Sequence, residues 1–169
     1  LLALGAASCG DESPSDGGEP DVTWGGASHG VRCAIATQSA SFAAGAKVPV
    51  AIRIENVSDG PVSLTLLPYF TLTDSFPRYM ALTDIIGKDP DFGHNSRFVL
   101  TLDKGKSLTS EIDIASLLWA LTIQSSPPVK KLYELVPVGS YTLRLEMEVA
   151  GESGETAIES NALAFAVIN

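Results

Sequence analysis

The side chains able to do chemistry are few. The histidines are His29 and His94, and the cysteines are Cys9 and Cys33. A serine hydrolase needs a serine, a histidine and an acid brought within hydrogen-bonding reach. His29 stands in a Gly- and Ser-rich approach to the first apolar run, and no Gly-x-Ser-x-Gly nucleophile elbow is expected. A catalytic thiol needs an activating base beside it. Cys33 has none in its neighbourhood and lies in the apolar run Val31 to Thr37, where a small buried thiol is at home. Asp84, Asp89, Asp91, His94 and Asn95 crowd one segment, and Asp89, Asp91 and His94 are the candidate ligands for calcium or zinc. Their spacing lacks the alternating acids and distal Glu of an EF-hand, and Pro90 and Gly93 read better as turn formers in a solvated loop. Glu146 and Glu148 supply paired carboxylates of the kind glycosidases use. Together with Thr142 and Arg144 they alternate with apolar residues, however, which is the pattern of a solvated strand face. Trp24 is expected to fold against the first strand and Trp119 into the core or its lid, which leaves few aromatics for stacking sugars. No enzyme, metal or cofactor is expected.

Composition narrows the partners. The 169 residues carry 20 acidic against 11 basic side chains, a net charge of −9. That balance repels phosphate backbones, so nucleic acid is not an expected partner. No uninterrupted apolar run approaches the roughly 18–20 residues of a transmembrane helix. The N-terminal segment reads Leu-Leu-Ala-Leu-Gly-Ala-Ala-Ser-Cys-Gly. An apolar stretch with small residues Ala6, Ala7 and Ser8 before Cys9 resembles the end of a bacterial lipoprotein signal peptide. The third position before the cysteine is usually Leu in that family and is Ala6 here, and the family's basic n-region would lie upstream of Leu1. The resemblance implies that residues 1–8 are removed and that Cys9 is diacylated, so the membrane is reached through a lipidated cysteine. If it does not hold, a Cys9–Cys33 disulfide is the alternative. Gly10 to Asp21 has five acidic residues, no basic ones and no large apolar side chain. It cannot bury enough surface to offset its ordering entropy and reads as a tether, so residues 9–23 join the anchor to a single domain over 24–169.

From Trp24 onward the elements are strands. Val48, Val50, Ile52 and Ile54 alternate with Arg53 and Glu55, the period of a half-buried sheet. Pro49 lies on the outer side and suggests an edge or a non-hydrogen-bonded position. Ser58-Asp59-Gly60-Pro61 is a turn signal before Val62, Leu64 and Leu66, which predicts a β-hairpin. A second hairpin is expected from Ser96–Leu102 and Ser107–Ile114, with Gly105 supplying a positive φ between them. Ala115 to Leu121 breaks the alternation and predicts one or two helical turns. Tyr141, Leu143, Leu145, Met147 and Val149 should face inward in one late strand, and Leu163, Phe165 and Val167 in the last. Tyr69 to Asn95 is irregular, with a short strand expected near Arg78–Thr83 and an excursion through Lys88–Asn95. The sum is an all-β, immunoglobulin-like antiparallel β-sandwich of seven or eight strands with one short helical segment.

Several phrases support that architecture together. Trp24-Gly25, Phe42-x-x-Gly45, the run Ile54 to Val62, Val138-Gly139-Ser140-Tyr141-Thr142-Leu143-Arg144 and Glu159-Ser160-Asn161 resemble an immunoglobulin-like module of secreted and envelope proteins of bacteria. The segment Asn56 to Val62 is distantly similar to a hairpin of intracellular proteinase inhibitor-like domains. The chain departs from the inhibitor pattern between Tyr69 and Asn95. The fold hosts many roles, so function must come from a site. Leu66-Leu67-Pro68-Tyr69-Phe70 and Phe76-Pro77-Arg78-Tyr79-Met80 concentrate interface-favoured types in loop-like context, which makes Tyr69, Phe70, Phe76, Arg78 and Tyr79 the candidate partner-binding residues. The resulting expectation is a non-enzymatic, lipid-anchored binding or accessory module. It would act on the periplasmic or extracellular side of the bacterial cell envelope, with a protein partner. The alternative is an inhibitor of an extracellular or periplasmic protease, with the segment Tyr69 to Tyr79 as a substrate-like loop.

Overall fold

A computed structural model describes residues 22–73, 78–82, 97–117, 119–123, 129–133, 136, 138–150 and 157–169. Residues 1–21, which contain the proposed leader and most of the tether, lie outside the described residues, as does the excursion 88–95. In chain order the described strands are β1 Val31–Ala36, β2 Ser41–Ala43, β3 Pro49–Asn56, β4 Val62–Thr73, β5 Arg78–Leu82 and β6 Phe98–Leu102. They continue as β7 Ser107–Asp113, β8 Trp119–Ile123, β9 Val129–Tyr133, β10 Gly139–Val149, β11 Ala157–Glu159 and β12 Leu163–Ile168. A single 3-10 turn, Ile114–Ser116, follows β7. The protein is all-β, with two sheets packed on one another.

The smaller sheet has the order β1-β3-β7. The larger runs β2-β12-β10-β4-β5-β8-β9, with β6 alongside β4 and β11 alongside β10. Period-two alternation puts Cys33, Ile35, Val50, Ile52 and Ile54 of the small sheet against Leu66, Phe70, Leu72, Leu143, Leu145 and Met147 of the large one, all of them buried. Each large apolar side chain so buried stabilises the fold by roughly 1.5–3 kcal/mol before entropy is counted. The inward sets expected for β3, β10 and β12 are those observed, with Leu163 only partly buried.

Connectivity departs from the sequence expectation. Neither predicted hairpin is one. β3 pairs with β1 and β7 in the small sheet, whereas β4 pairs with β10, β5 and β6 in the large one. The turn 57–61 is therefore an arch between the two layers. Likewise β6 joins β4 while β7 joins β3, so the turn 103–106 also crosses from sheet to sheet. Alternation reports which face of a strand is buried, and both layers bury a face, so the pattern cannot distinguish a hairpin from an arch. Gly105 does adopt the positive φ expected of it, +68°.

Three smaller points also differ. Twelve strands are described rather than seven or eight, because short pieces such as β2 and β11 carry too few residues to show a period. The helical turns expected over Ala115–Leu121 reduce to Ile114–Ser116, and β8 begins at Trp119. Asp113 starts that turn by accepting from the Ala115 amide at 3.1 Å, and it also holds the Val48 amide at 2.8 Å. Pro49 lies in the central strand of the small sheet and not at an edge, but as its first residue, where Pro is tolerated. The short strand expected near Arg78–Thr83 is present as β5.

Candidate functional site

The outer face of the larger sheet carries a fixed polar centre. Tyr69 of β4 stands opposite Glu146 of β10, and Thr71 opposite Arg144. The Tyr69 hydroxyl donates to Glu146 Oε2 at 2.9 Å, and Thr71 Oγ1 donates to Oε1 of the same carboxylate at 3.0 Å. Both carboxylate oxygens are thus engaged by one neighbouring strand. Arg144 pairs with Glu159 of β11 at 3.7 Å. Burial pushes the Tyr69 phenol well above its ordinary range, with the hydrogen bond and charge of Glu146 and the charges of Glu148 and Glu159 adding to the effect. A phenol held protonated on a saturated carboxylate is a positioned donor and a flat contact surface, not a base or a nucleophile.

Further along the same face lies a shallow, open concavity of about 530 Å³. It is lined by Ala40, Thr73, Ser140, Thr142, Ala164 and Ala166 among others. The register Thr73–Thr142–Ala164 aligns short side chains across β4, β10 and β12. Short side chains on three adjacent strands let another surface come close to the sheet.

The residues singled out from sequence divide among four fates. Tyr69 belongs to this centre. Phe70, its neighbour, is fully buried in the core and cannot touch a partner, which corrects its assignment as a binding residue. Arg78 and Tyr79 open β5, at the register positions opposite Thr73 and Leu72. The segment taken as a loop is therefore two paired strands joined by 74–77. Pro68 and Leu67 fall where that edge of β4 changes partner from β6 to β5. Cys9, Phe76, Asp89, Asp91 and His94 lie outside the described residues.

Cys33 and Trp24 have structural roles, while the Trp119 side chain lies outside the described residues. Cys33 is a free thiol, completely buried, and burial pushes it up to about 12. The expected absence of a Gly-x-Ser-x-Gly spacing is incorrect, since Gly26-Ala27-Ser28-His29-Gly30 has it. That motif works as a strand–turn–helix. Here it precedes β1, as a tight turn in which Ser28 and Val31 exchange backbone hydrogen bonds and His29 and Gly30 take φ of 51° and 77°. Trp24 does lie against β1, with the Arg32 guanidinium 4.1 Å and that of Arg53 5.5 Å from its ring centroid. Glu55 holds Arg32 in place through a 2.8 Å hydrogen bond from Nε. Among the described residues no group of three or more His, Cys, Asp or Glu is placed to hold a metal ion, and no helix is long and apolar enough to cross a membrane.

Sequence reading missed the role of Glu146, which looked like any solvated strand residue. The alternation does place Tyr69 and Thr71 on one face, but only strand register brings β10 beside them. It also missed Asn161, whose side-chain amide spans the two sheets by accepting from the Ile35 amide at 2.8 Å and donating to the Ile35 carbonyl at 3.0 Å. No protein-family model matches this chain, and no curated protein matches it.

Proposed function

We propose that this chain is a non-enzymatic, lipid-anchored module of the bacterial cell envelope. In this reading Cys9 carries the lipid, the acidic tether stands the domain off the membrane, and the sandwich binds a protein partner on the periplasmic or extracellular side. The observation that carries the binding assignment is the Tyr69–Glu146–Thr71 centre beside the shallow concavity on the outer face of the larger sheet. A tyrosine already ordered by two-strand hydrogen bonding loses little side-chain entropy on contact, and Tyr is among the residue types enriched at interfaces.

An immunoglobulin-like assignment of the sandwich belongs to the same proposal. Its support is the order β1-β3-β7 in one sheet and the adjacency of β4, β10 and β12 in the other, which parallels the A-B-E and C-F-G groupings of that fold. A substrate-like inhibitory loop over Tyr69–Tyr79 is not favoured, because both ends of that segment are paired strands.

Two measurements test the proposal. Intact mass and membrane partitioning of the protein from the full-length gene, beside Cys9→Ser, test the anchor. The expected result is a diacylglycerol-bearing wild type in the membrane fraction and a soluble, unmodified variant. An unmodified Cys9 with its leader retained overturns the anchor. A photo-crosslinking residue placed in intact cells at Thr142 or Ala164, and at Thr109 on the exposed outer face of the small sheet, tests the face. One discrete adduct from the first two positions and none from Thr109 is expected. Adducts independent of position, or none at all, reject the face.

A further inference from the structure

The chain reaches β1 through residues 22–27, and this approach is bound at three points. Trp24 lies under Arg32 and Arg53 on the outer face of the small sheet. The Gly25 amide donates to the carbonyl of Cys33 in β1 at 2.9 Å. Gly25 also touches the other sheet, since a Cβ built there would fall 2.0 Å from the Glu159 carbonyl oxygen. Glu159-Ser160-Asn161 is the break between β11 and β12, and it is itself tied down. Ser160 exchanges bonds with Leu145 of β10: its amide donates to the Leu145 carbonyl at 2.9 Å, and its hydroxyl accepts from the Leu145 amide at 2.9 Å. Asn161 then bonds both backbone groups of Ile35, two residues along β1 from Cys33.

At this seam the sheets are joined without strand pairing. The strap holds Cys33, the larger sheet holds Ile35, and the strap and the larger sheet press on each other at Gly25. We infer that Trp24-Gly25 and Asn161 form a mechanical latch, which stops the N-terminal segment and β1 from peeling away when the chain is pulled from its N-terminal side. Peeling would ordinarily break the bonds of an end strand one after another. With Gly25 seated against Glu159 and Asn161 fastened to Ile35, a pull on Trp24 instead loads contacts to both sheets together. A domain tethered by its N-terminal side meets tension from that direction, so the biological use of the latch rests on the anchor reading above. The latch itself does not.

Single-molecule force spectroscopy on the full chain, with handles fused to its two ends, tests the inference directly. The wild type is expected to rupture in one event that releases residues 24–168, a contour gain of about 500 Å at roughly 3.5 Å per residue. Asn161→Ala is expected to split that event, with a first, weaker step of about 45 Å as the strap and β1 leave together. A wild-type trace that already shows the 45 Å step first overturns the latch, and this trace decides the matter even if Asn161→Ala does not fold. A folded Asn161→Ala that still ruptures in one event at wild-type force overturns it too. No lipid enters this experiment, so its failure leaves the anchor proposal standing, and failure of lipidation in cells leaves the latch standing.

Discussion

Replacing Asn56 with alanine is expected to loosen the arch between the two sheets. Asn56 is 1 % exposed, and its side chain makes four hydrogen bonds. Nδ2 donates to the Gly60 carbonyl at 2.8 Å and to the Leu102 carbonyl at 2.9 Å, while Oδ1 accepts from the Ser58 amide at 2.9 Å and the Ser58 hydroxyl at 2.7 Å. One side chain thereby fastens the turn 57–61 to the end of β6 and, through it, to the turn 103–106. At a net of about 1 kcal/mol per bond the set contributes about 4 kcal/mol. Ser58 Oγ, whose one proton goes to Asn56 Oδ1, also lies 2.8 Å from the Gly60 carbonyl and would donate there in the variant, keeping that acceptor satisfied. The expected loss is therefore about 3 kcal/mol, a large share of the roughly 5–15 kcal/mol typical of a whole domain. For a domain of this size it lowers the melting temperature by about 6–12 °C. Urea unfolding followed by tryptophan fluorescence, with calorimetry beside it, measures the effect. Lys104→Ala is the control: Lys104 pairs with Asp59 across the same two turns at 3.2 Å, but both groups are solvent-exposed. Its midpoint should not move measurably. A loss below about 1 kcal/mol for Asn56→Ala would refute the reasoning and mean that strand pairing alone holds the arch.

Three other outcomes follow from the packing. Gly25→Ala puts a methyl group into the Glu159 carbonyl and should lower stability by about 3 kcal/mol or more, read from the urea midpoint, whereas Gly26→Ala meets nothing within 4 Å and should be close to neutral. The Cys33 thiol is raised from 9.0 to about 12 by burial, so its contribution to stability is fully present below pH 9 and is lost as the pH climbs from there to about 12. Cys33→Ala should flatten that part of the pH–stability curve, and the wild-type thiol should react with a disulfide reagent at pH 8 only as fast as the fold opens. Tyr69 should remain a neutral phenol above the ordinary tyrosine range in an ultraviolet titration. Glu146→Gln should bring it part of the way back, because burial, the larger cause, stays in place.

Much of this architecture is legible in the residues themselves. Alternation along Val48–Ile54 and Tyr141–Val149 names the strands and their inward faces, because a side chain's face is set by its own backbone and needs no partner. Gly105 shows its turn for a similar local reason. The proposed Cys9 anchor, by contrast, is argued from neighbours in the chain alone and lies outside the described residues. What alternation does not contain is the identity of the strand on either side. Whether Asn56 to Val62 is a hairpin or an arch depends on which layer β4 joins, and that is decided by how all the buried faces pack together. The same holds for Glu146. In sequence it is one more charge on a solvated strand, and it becomes the centre of a polar cluster only when register sets it beside Tyr69 and Thr71. Phe70 reads as part of a loop-like segment, but within β4 it takes the face that packs against the small sheet and is buried there. Asn161 reaches Ile35 across 126 positions of chain. Local preference wrote the strands of this protein, and only the closing of one sheet on the other determined which of its side chains meet.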